Sequence, residues 1–306
     1  MSRIRRIFLT GGSGFVGKTI IRHLLNEGYH VTTLSRSKSS VPLSLRNDDR
    51  LSVHQGDITN PGSFIDAVRD HEAVINLVGI IREKRSSGIT FRKVHVDGTR
   101  NAVDAALKAG VRRFIQMSAL GASENAESEY HKTKWEAEEI VRHSGLDFTI
   151  FRPSIIMGEN GEFLNLLAES IRKFRMFPLI NGGTSLMQPV MVDDVADGFV
   201  RCIDLKNSTG KTYEAGGLQK YQFKQIIHLI ADALELRVYT PSVPLRMVKP
   251  FVRVFENQSW FPLTMDQLTM LLKDNVTDST MFFDDLDIHP VDFAQALGII
   301  LKHKRQ

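Results

Sequence analysis

The sequence predicts an α/β fold, a mostly parallel, doubly wound sheet with a smaller lobe toward the C-terminus. Three observations carry that prediction. Up to residue 151, short runs rich in Val, Ile and Phe alternate with segments of helical spacing, the rhythm of successive βαβ units. The strand-like runs are continuously apolar, as expected for strands covered on both faces. After Pro153 the alternation becomes irregular, which predicts a separate lobe.

The elements follow in order. Residues 7–10 read as the first strand. Residues 16–27 have helical spacing, with Ile20, Ile21, Leu24 and Leu25 on one face and Gly28 as the terminator. Residues 29–34, 51–54 and 73–78 read as the next three strands, with a helix near 62–69 before the last of them. A helix over 99–109, closed by Gly110, leads to a strand at 113–117, and a helix around 133–143 leads to a strand at 147–151. Beyond Pro153 come a helix (163–174), a strand-like stretch (186–192), a helix (195–205), a strand (212–214) and a helix (223–234). A proline-punctuated segment, 241–262, precedes a final helical region. The expected division is 1–155, with 186–215 returning to it, and a smaller lobe, 156–306.

Composition narrows the function. The 306 residues carry 39 Lys and Arg against 35 Asp and Glu, and the net charge of +4 is too dilute to argue for nucleic acid. One cysteine, Cys202, excludes an internal disulfide or a multi-thiolate site and suits a reducing compartment. The longest apolar stretch, 73–81, is interrupted by Asn76 and is too short to cross a bilayer. The basic opening before Ile7 superficially resembles a secretion signal, but its apolar run stops at Gly11 and reads as a strand. The expectation is a cytoplasmic protein. Ten scattered histidines show no ligand spacing, so no metal is expected, and one of Asp193 and Asp194 is expected to cap a helix beginning at Val195.

The chemistry concentrates in two places. Gly11, Gly12, Ser13, Gly14, Phe15, Val16 and Gly17 form a G-x-x-G-x-x-G and G-x-G-x-x-G pattern between the first strand and first helix. In that context the early glycines permit a tight turn, Gly14 admits a pyrophosphate close to the backbone, and Gly17 lets helix approach strand. Unpaired amides and the helix dipole then favour phosphate. At the second strand's end, Ser35 and Arg36 stand where an NAD site usually places a carboxylate. Arg36, aided by Ser35 and Ser37 or Lys38, could hold a 2′-phosphate, which favours NADP(H) over NAD(H). The second place is Tyr130 and Lys134. Spaced by four on a helix they share a face, and the ammonium favours the phenolate.

With these motifs in view, the chain resembles the extended and atypical short-chain dehydrogenase/reductases. Within them it is most similar to the NAD(P)H-binding accessory subunit of respiratory complex I and its bacterial relatives. Gly56-Asp57-Ile58, the 96–101 segment Val-Asp-Gly-Thr-Arg-Asn, the 117–121 segment Met-Ser-Ala-Leu-Gly, the 152–155 segment Arg-Pro-Ser-Ile and residues 188–196 extend the likeness, and 212–217 and 263–267 carry it into the lobe. The resemblance implies a Rossmann-type sheet. It also implies Asp57 and Ile58 beside the adenine, Val78 and Gly79 lining the cofactor cleft, Lys134 on the nicotinamide ribose, and Pro153 to Ile155 near the nicotinamide. Tyr130 and Lys134 would be catalytic, with Ser118 as the third member. Two positions depart from the pattern: Ala119 falls where the family usually has serine or threonine, and His95 where extended members often have asparagine. Both bear on turnover more than on nucleotide binding.

Two functions are therefore expected. One is an NADP(H)-dependent oxidoreductase or epimerase-like enzyme acting on a small carbonyl or hydroxyl substrate. The other is a non-turnover NADP(H)-binding or redox-sensing subunit of a respiratory, membrane-associated assembly. Residues 244–255 bear on the second. Arg246, Lys249 and Arg253 share one helical face and Leu245, Val248, Val252 and Phe255 another, so the segment could rest on an anionic membrane or dock on a partner. Pro250 is expected to kink it, and a cover for the substrate cleft is the favoured reading. The basic residues 302–305 read as a solvated tail.

Overall fold

The computed structural model describes residues 4–258 and 260–303. The first three residues, expected to precede the opening strand, and the end of the basic tail lie outside the described residues. The chain forms two compact units. The first comprises residues 1–153, 192–215 and 279–288, and the second residues 154–191, 216–278 and 289–306.

The first unit is built on seven strands: β1 (Arg6–Thr10), β2 (His30–Ser35), β3 (Leu51–Gln55), β4 (Ala73–Asn76), β5 (Arg113–Met117), β6 (Asp147–Pro153) and β7 (Lys211–Ala215). Their spatial order is β7-β6-β5-β4-β1-β2-β3, and every pair is parallel. This is a Rossmann-type sheet, and its strand order reverses between β1 and β4. Because all strands run the same way, all their C-terminal ends share one edge, where open α/β sheets bind ligands beside the reversal. β4 and β5 are buried along their whole length, as their apolar runs predict.

Helices α1 (Phe15–Asn26), α2 (Gly98–Lys108) and α3 (Glu129–Arg142) connect these strands. Gly28 and Gly110 terminate the first two with positive φ, 84° and 73°. At each, the next residue's amide reaches back, Tyr29 to the carbonyl of Leu24 and Val111 to that of Ala106. One side of the sheet packs Phe8, Val74, Phe114 and Ile150 with Phe64 and with Ala102, Val103 and Ala106 of α2.

Three expectations need correction. Residues 62–69 form no continuous helix but two tight turns, Pro61–Ser63 and Ile65–Val68, because Phe64 between them has non-helical dihedrals and buries its ring in the core. The helix expected to start at residue 99 is preceded by a wider turn of π-helix, Arg92–Asp97, carrying His95. The helix expected from Val195 is α4, Val192–Arg201, so Asp193 and Asp194 lie inside its first turn. Asp193 there bonds Arg22 and His23 of α1.

The second unit holds α5 (Glu162–Phe174), α6 (Phe223–Ala233), α7 (Leu245–Phe255) and α8 (Met265–Leu272), while α9 (Met281–Leu286) returns to the first unit and α10 (Phe293–His303) closes the second. Its core joins Leu164, Leu167 and Ile171 of α5 to Ile226, Ile227 and Ile230 of α6 and Leu297 and Leu301 of α10. The strand-like stretch 186–192 resolves into two-residue strands, Leu186–Met187 and Val190–Met191, separated by Gln188 and Pro189. Among the described residues, no helix is long and apolar enough to cross a membrane.

Candidate functional site

The 11–17 turn leaves β1 and enters α1. Gly11 adopts φ 78°, a left-handed conformation that favours glycine. At Gly17 a Cβ would sit 2.2 Å from the Gly11 carbonyl oxygen, so the helix can lie this close to the turn only without a side chain. A Cβ at Gly12 would strike the Thr33 hydroxyl at 2.1 Å. Gly14 differs: its Cβ would meet only the Gly11 oxygen, at 3.3 Å, and its outer side is open. Gly14 is also the N-cap of α1, and no side chain caps the helix there. The first amides of a helix have no intrahelical acceptor. This turn therefore presents backbone donors, the positive end of a helix dipole and a surface without side-chain obstruction, which fits a diphosphate.

The neighbouring strand ends supply the rest of the edge. Ser35, buried at the end of β2, donates its hydroxyl to the Ser37 carbonyl, while Arg36 is exposed and its carbonyl accepts from Gln55. Asp57 follows β3, and its Oδ1 accepts from both the amide and hydroxyl of Thr59, at 2.8 Å each, which leaves Oδ2 without a bond among the described residues. Ile58 is buried in the core, and its carbonyl accepts from Asn101. Val78 is half-buried and Gly79 exposed after β4. Pro153 ends β6 and pairs with Ala215 of β7. Ile155 belongs to the second unit, where its carbonyl accepts from the Val190 amide.

Helix α3 begins earlier than its apolar spacing suggests. Ser128 caps it by accepting from the His131 amide, which places Tyr130 in the first turn. Tyr130 is half-buried, edge-on to Phe91, His95 and His131. Lys134, one turn further, is fully buried and donates to the Met117 carbonyl at the end of β5, at 3.2 Å. A Cβ on Gly79 would lie 2.9 Å from the Lys134 Nζ, so the glycine makes room for the ammonium. Burial pulls the Lys134 pKa down to about 8, partly opposed by the Glu138 charge.

Ser118 is placed differently from the expectation of a substrate-facing hydroxyl. It donates to Glu138, a carboxylate buried within α3. Glu138 is also gripped by the Nε and Nη2 of Arg152 at 2.8 and 2.7 Å and by Arg142 at 2.6 Å. The fork of Arg152, a second guanidinium and one hydroxyl thus fill the acceptor positions of a single carboxylate. Ala119 follows and carries no hydroxyl.

Sequence reasoning noted His95 only as a departure and missed its role in holding the site. Its Nδ1 lies 2.9 Å from the Thr133 hydroxyl, which itself donates to the Glu129 carbonyl. Its Nε2 lies 3.1 Å from both the amide and the carbonyl of Ile80, so either neutral tautomer keeps both ring nitrogens within hydrogen-bond reach of a partner. Burial holds its pKa well below the usual histidine value, and the neighbouring Lys134 charge acts the same way. A polar ladder below the edge was missed too: Thr10 donates to Asn76 at 2.5 Å, and Asn76 donates to Gln116 at 2.9 Å and to Thr99 at 3.2 Å. Polar residues at the ends of apolar strands were the available signal.

The model of the NAD dependent epimerase/dehydratase family matches residues 7–216. The chain belongs to that family. Among curated relatives, the mitochondrial NADH dehydrogenase [ubiquinone] 1 alpha subcomplex subunit 9 of Arabidopsis thaliana is 30% identical over 92% of this chain and 73% of that protein. The NADH-ubiquinone oxidoreductase 40 kDa subunit of Neurospora crassa is 28% identical over 93% of this chain and 75% of its own length. The ceramide reductase of Caulobacter vibrioides is 31% identical over 62% of this chain and 58% of its own. In fold, the chain is similar to the dTDP-glucose 4,6-dehydratase DesIV of Streptomyces venezuelae, solved with NAD and TYD bound. The TM-score is 0.78 at 21% identity, covering 98% of this chain and 97% of that one.

Proposed function

We propose that this member of the family holds a nicotinamide dinucleotide, preferentially NADP(H), as a retained ligand within a respiratory, membrane-associated assembly. The observation that carries the reading is the contrast inside the site. The 11–17 turn is open to a diphosphate, whereas Ser118 is committed to Glu138 and Ala119 has no hydroxyl. Gly12, Gly14 and the first amides of α1 would hold the diphosphate, and the exposed Arg36 would take the 2′-phosphate with Ser37 or Lys38. Asp57 and Ile58 would border the adenine, Asp57 through its Oδ2, since its amide and carbonyl are bonded to Ser63 and Asn60. Val78 and Gly79 would line the middle of the cleft, with Pro153 and Ile155 proposed toward the nicotinamide. The relatives named as mitochondrial NADH dehydrogenase and NADH-ubiquinone oxidoreductase subunits support the assembly.

A second reading, reduction or epimerisation of a small carbonyl or hydroxyl compound, is favoured by Tyr130 and Lys134. A bound nicotinamide supplies or accepts the hydride. Tyr130 would exchange the proton with the substrate oxygen, and Lys134 would hold positive charge nearby and keep the phenol acidic. The ceramide reductase relative supports this reading. One experiment separates the two: mass spectrometry of nucleotide released from the purified protein, followed by NADPH oxidation assays over a carbonyl panel. The first reading expects NADP(H) that copurifies and is not consumed. Rapid oxidation that Tyr130→Phe abolishes would overturn it in favour of the enzyme.

A further inference from the structure

In the second unit, α7 divides its surface in three. Val248, Val252 and Phe255, spaced i, i+4, i+7, face inward to varying degrees, and Val252 is fully buried. Met247, Phe251 and Val254 repeat the same spacing and are 60%, 65% and 67% exposed. Arg246, Lys249 and Arg253 form the third, exposed stripe, and none has a carboxylate partner among the described residues. Pro250 lies inside the helix without ending it. Trp260, just beyond, is 68% exposed and its indole stands 5.6 Å from the Phe255 ring.

A helix needs one apolar stripe to join its own core, and α7 already has that stripe in Val248, Val252 and Phe255. The second stripe stays mostly exposed, although its Phe251 stacks on Phe255 with ring centroids 6.2 Å apart, and exposure of Met, Phe, Val and Trp together is unfavourable in water. Its position beside three unpaired cations is what an interfacial helix requires: apolar side chains sink below the headgroups while the cations remain among the phosphates. No acid occurs from Pro241 to Phe255, and the next one, Glu256, is half-buried with its carboxylate accepting the Met265 amide. An indole at the rim suits the membrane–water interface.

We infer that α7 and Trp260 form a docking surface for an anionic phospholipid bilayer, with Met247, Phe251 and Val254 inserted and Arg246, Lys249 and Arg253 on the lipid phosphates. Of the two sequence expectations for this segment, the inference takes the anionic membrane over the cleft cover. It goes beyond nucleotide binding and does not depend on it, because every residue involved lies in the second unit and outside the dinucleotide-binding turn.

The test is flotation of the full chain with phosphatidylcholine vesicles, with and without phosphatidylglycerol, at low and high salt. Emission of Trp260 is read in a Trp135→Phe background, which leaves it as the lone indole. Binding is expected to need phosphatidylglycerol, to weaken with salt, and to shift Trp260 emission to the blue. Replacing Arg246, Lys249 and Arg253 together by Gln should weaken partitioning about 100-fold, at about fivefold per cation. Phe251→Ser should weaken it about tenfold. These side chains are exposed, so the melting temperature should not change, which separates lost docking from misfolding. The inference is overturned by vesicle binding that ignores phosphatidylglycerol, by an unshifted Trp260, or by a triple variant that binds like the parent. It is also overturned if sedimentation finds a dimer that Phe251→Ser dissociates, since the surface would then belong to a second copy.

Discussion

The starts of α1 and α3 lie on the same edge of one sheet and are built in opposite ways. At Gly14 no side chain caps α1, and the glycine brings none of its own. At Ser128 the hydroxyl answers the His131 amide, and the neighbouring polar groups answer one another: Lys134 to Met117, His95 to Thr133 and Ile80, Ser118 to Glu138. Buried polar groups must be satisfied either by the protein or by what it binds. The first start leaves donors for a ligand; the second answers Ser118, Ser128 and His95 within the protein and leaves Lys134 with donors beyond its bond to Met117. That difference predicts strong nucleotide binding and a catalytic wall whose side chains serve the fold.

Substitutions can break the contrast from either side. The largest effect is expected at Glu138→Ala, which leaves Arg152 and Arg142 without their shared carboxylate. A loss of about 3–5 kcal/mol in urea unfolding is expected, as for breaking a buried pair from one side. A loss below about 1 kcal/mol would show that the cluster does not anchor α3.

At the other start, Gly17→Ala should weaken nucleotide binding by about 100-fold or more, because a Cβ 2.2 Å from the Gly11 oxygen forces the turn open. Gly14→Ala meets that oxygen at a tolerable 3.3 Å, so it should fold normally and lose affinity only where the ligand approaches. A lower melting temperature together with the larger loss of affinity in Gly17→Ala alone would sharpen the contrast. Equal affinities for both variants would break it.

Lys134 supplies a pH signature. Its pKa is lowered in the fold, to about 8 from 10.5, so below pH 8 the buried ammonium costs its full desolvation. Between about 8 and 10.5 the unfolded chain binds more protons than the folded one, and stability rises with pH. The integrated gain is about 3 kcal/mol, because each tenfold change in proton affinity is worth about 1.4 kcal/mol. Thermal melts of the parent against Lys134→Met should show their difference moving in favour of the parent across that window. A constant difference would mean Lys134 is hydrated in the folded protein.

The smallest expected effect lies at His23, whose pKa is raised by Asp193, with Asp197 contributing, against a partial burial cost. A raised folded pKa gives stability that is present below the ordinary value of 6.5 and lost as pH rises through the folded value. His23→Gln should therefore lower the melting temperature at pH 5.5–6 and do little at pH 9, within about 1 kcal/mol because the aspartates are half exposed. An equal loss at both ends would point to packing in place of charge.

Much of the fold was readable because it rests on local signals. Gly28 and Gly110 end helices where the sequence places them, and the β5 run Arg113–Met117 appears with its expected bounds. Residues 62–69 misled because Phe64, an apolar residue at helical spacing, interrupts the helix to fill the core. At the site, the tight turn and the close approach of α1 were legible in the glycines of residues 11–17. The commitment of Ser118 was hidden because its partner Glu138 lies twenty residues away and resembles any charged residue of a helix until its burial is seen. In α7 the pattern of charge was plain, but only exposure reveals that Met247, Phe251 and Val254 form a second apolar stripe.

Titration calorimetry of the purified full chain, stripped of nucleotide, with NADPH and then NADH tests the open start of α1 most directly. A saturable one-to-one heat with NADPH, weaker with NADH and lost in Gly17→Ala, is the expected result. No heat with either coenzyme in a folded protein would contradict the assignment of that turn as a dinucleotide cradle.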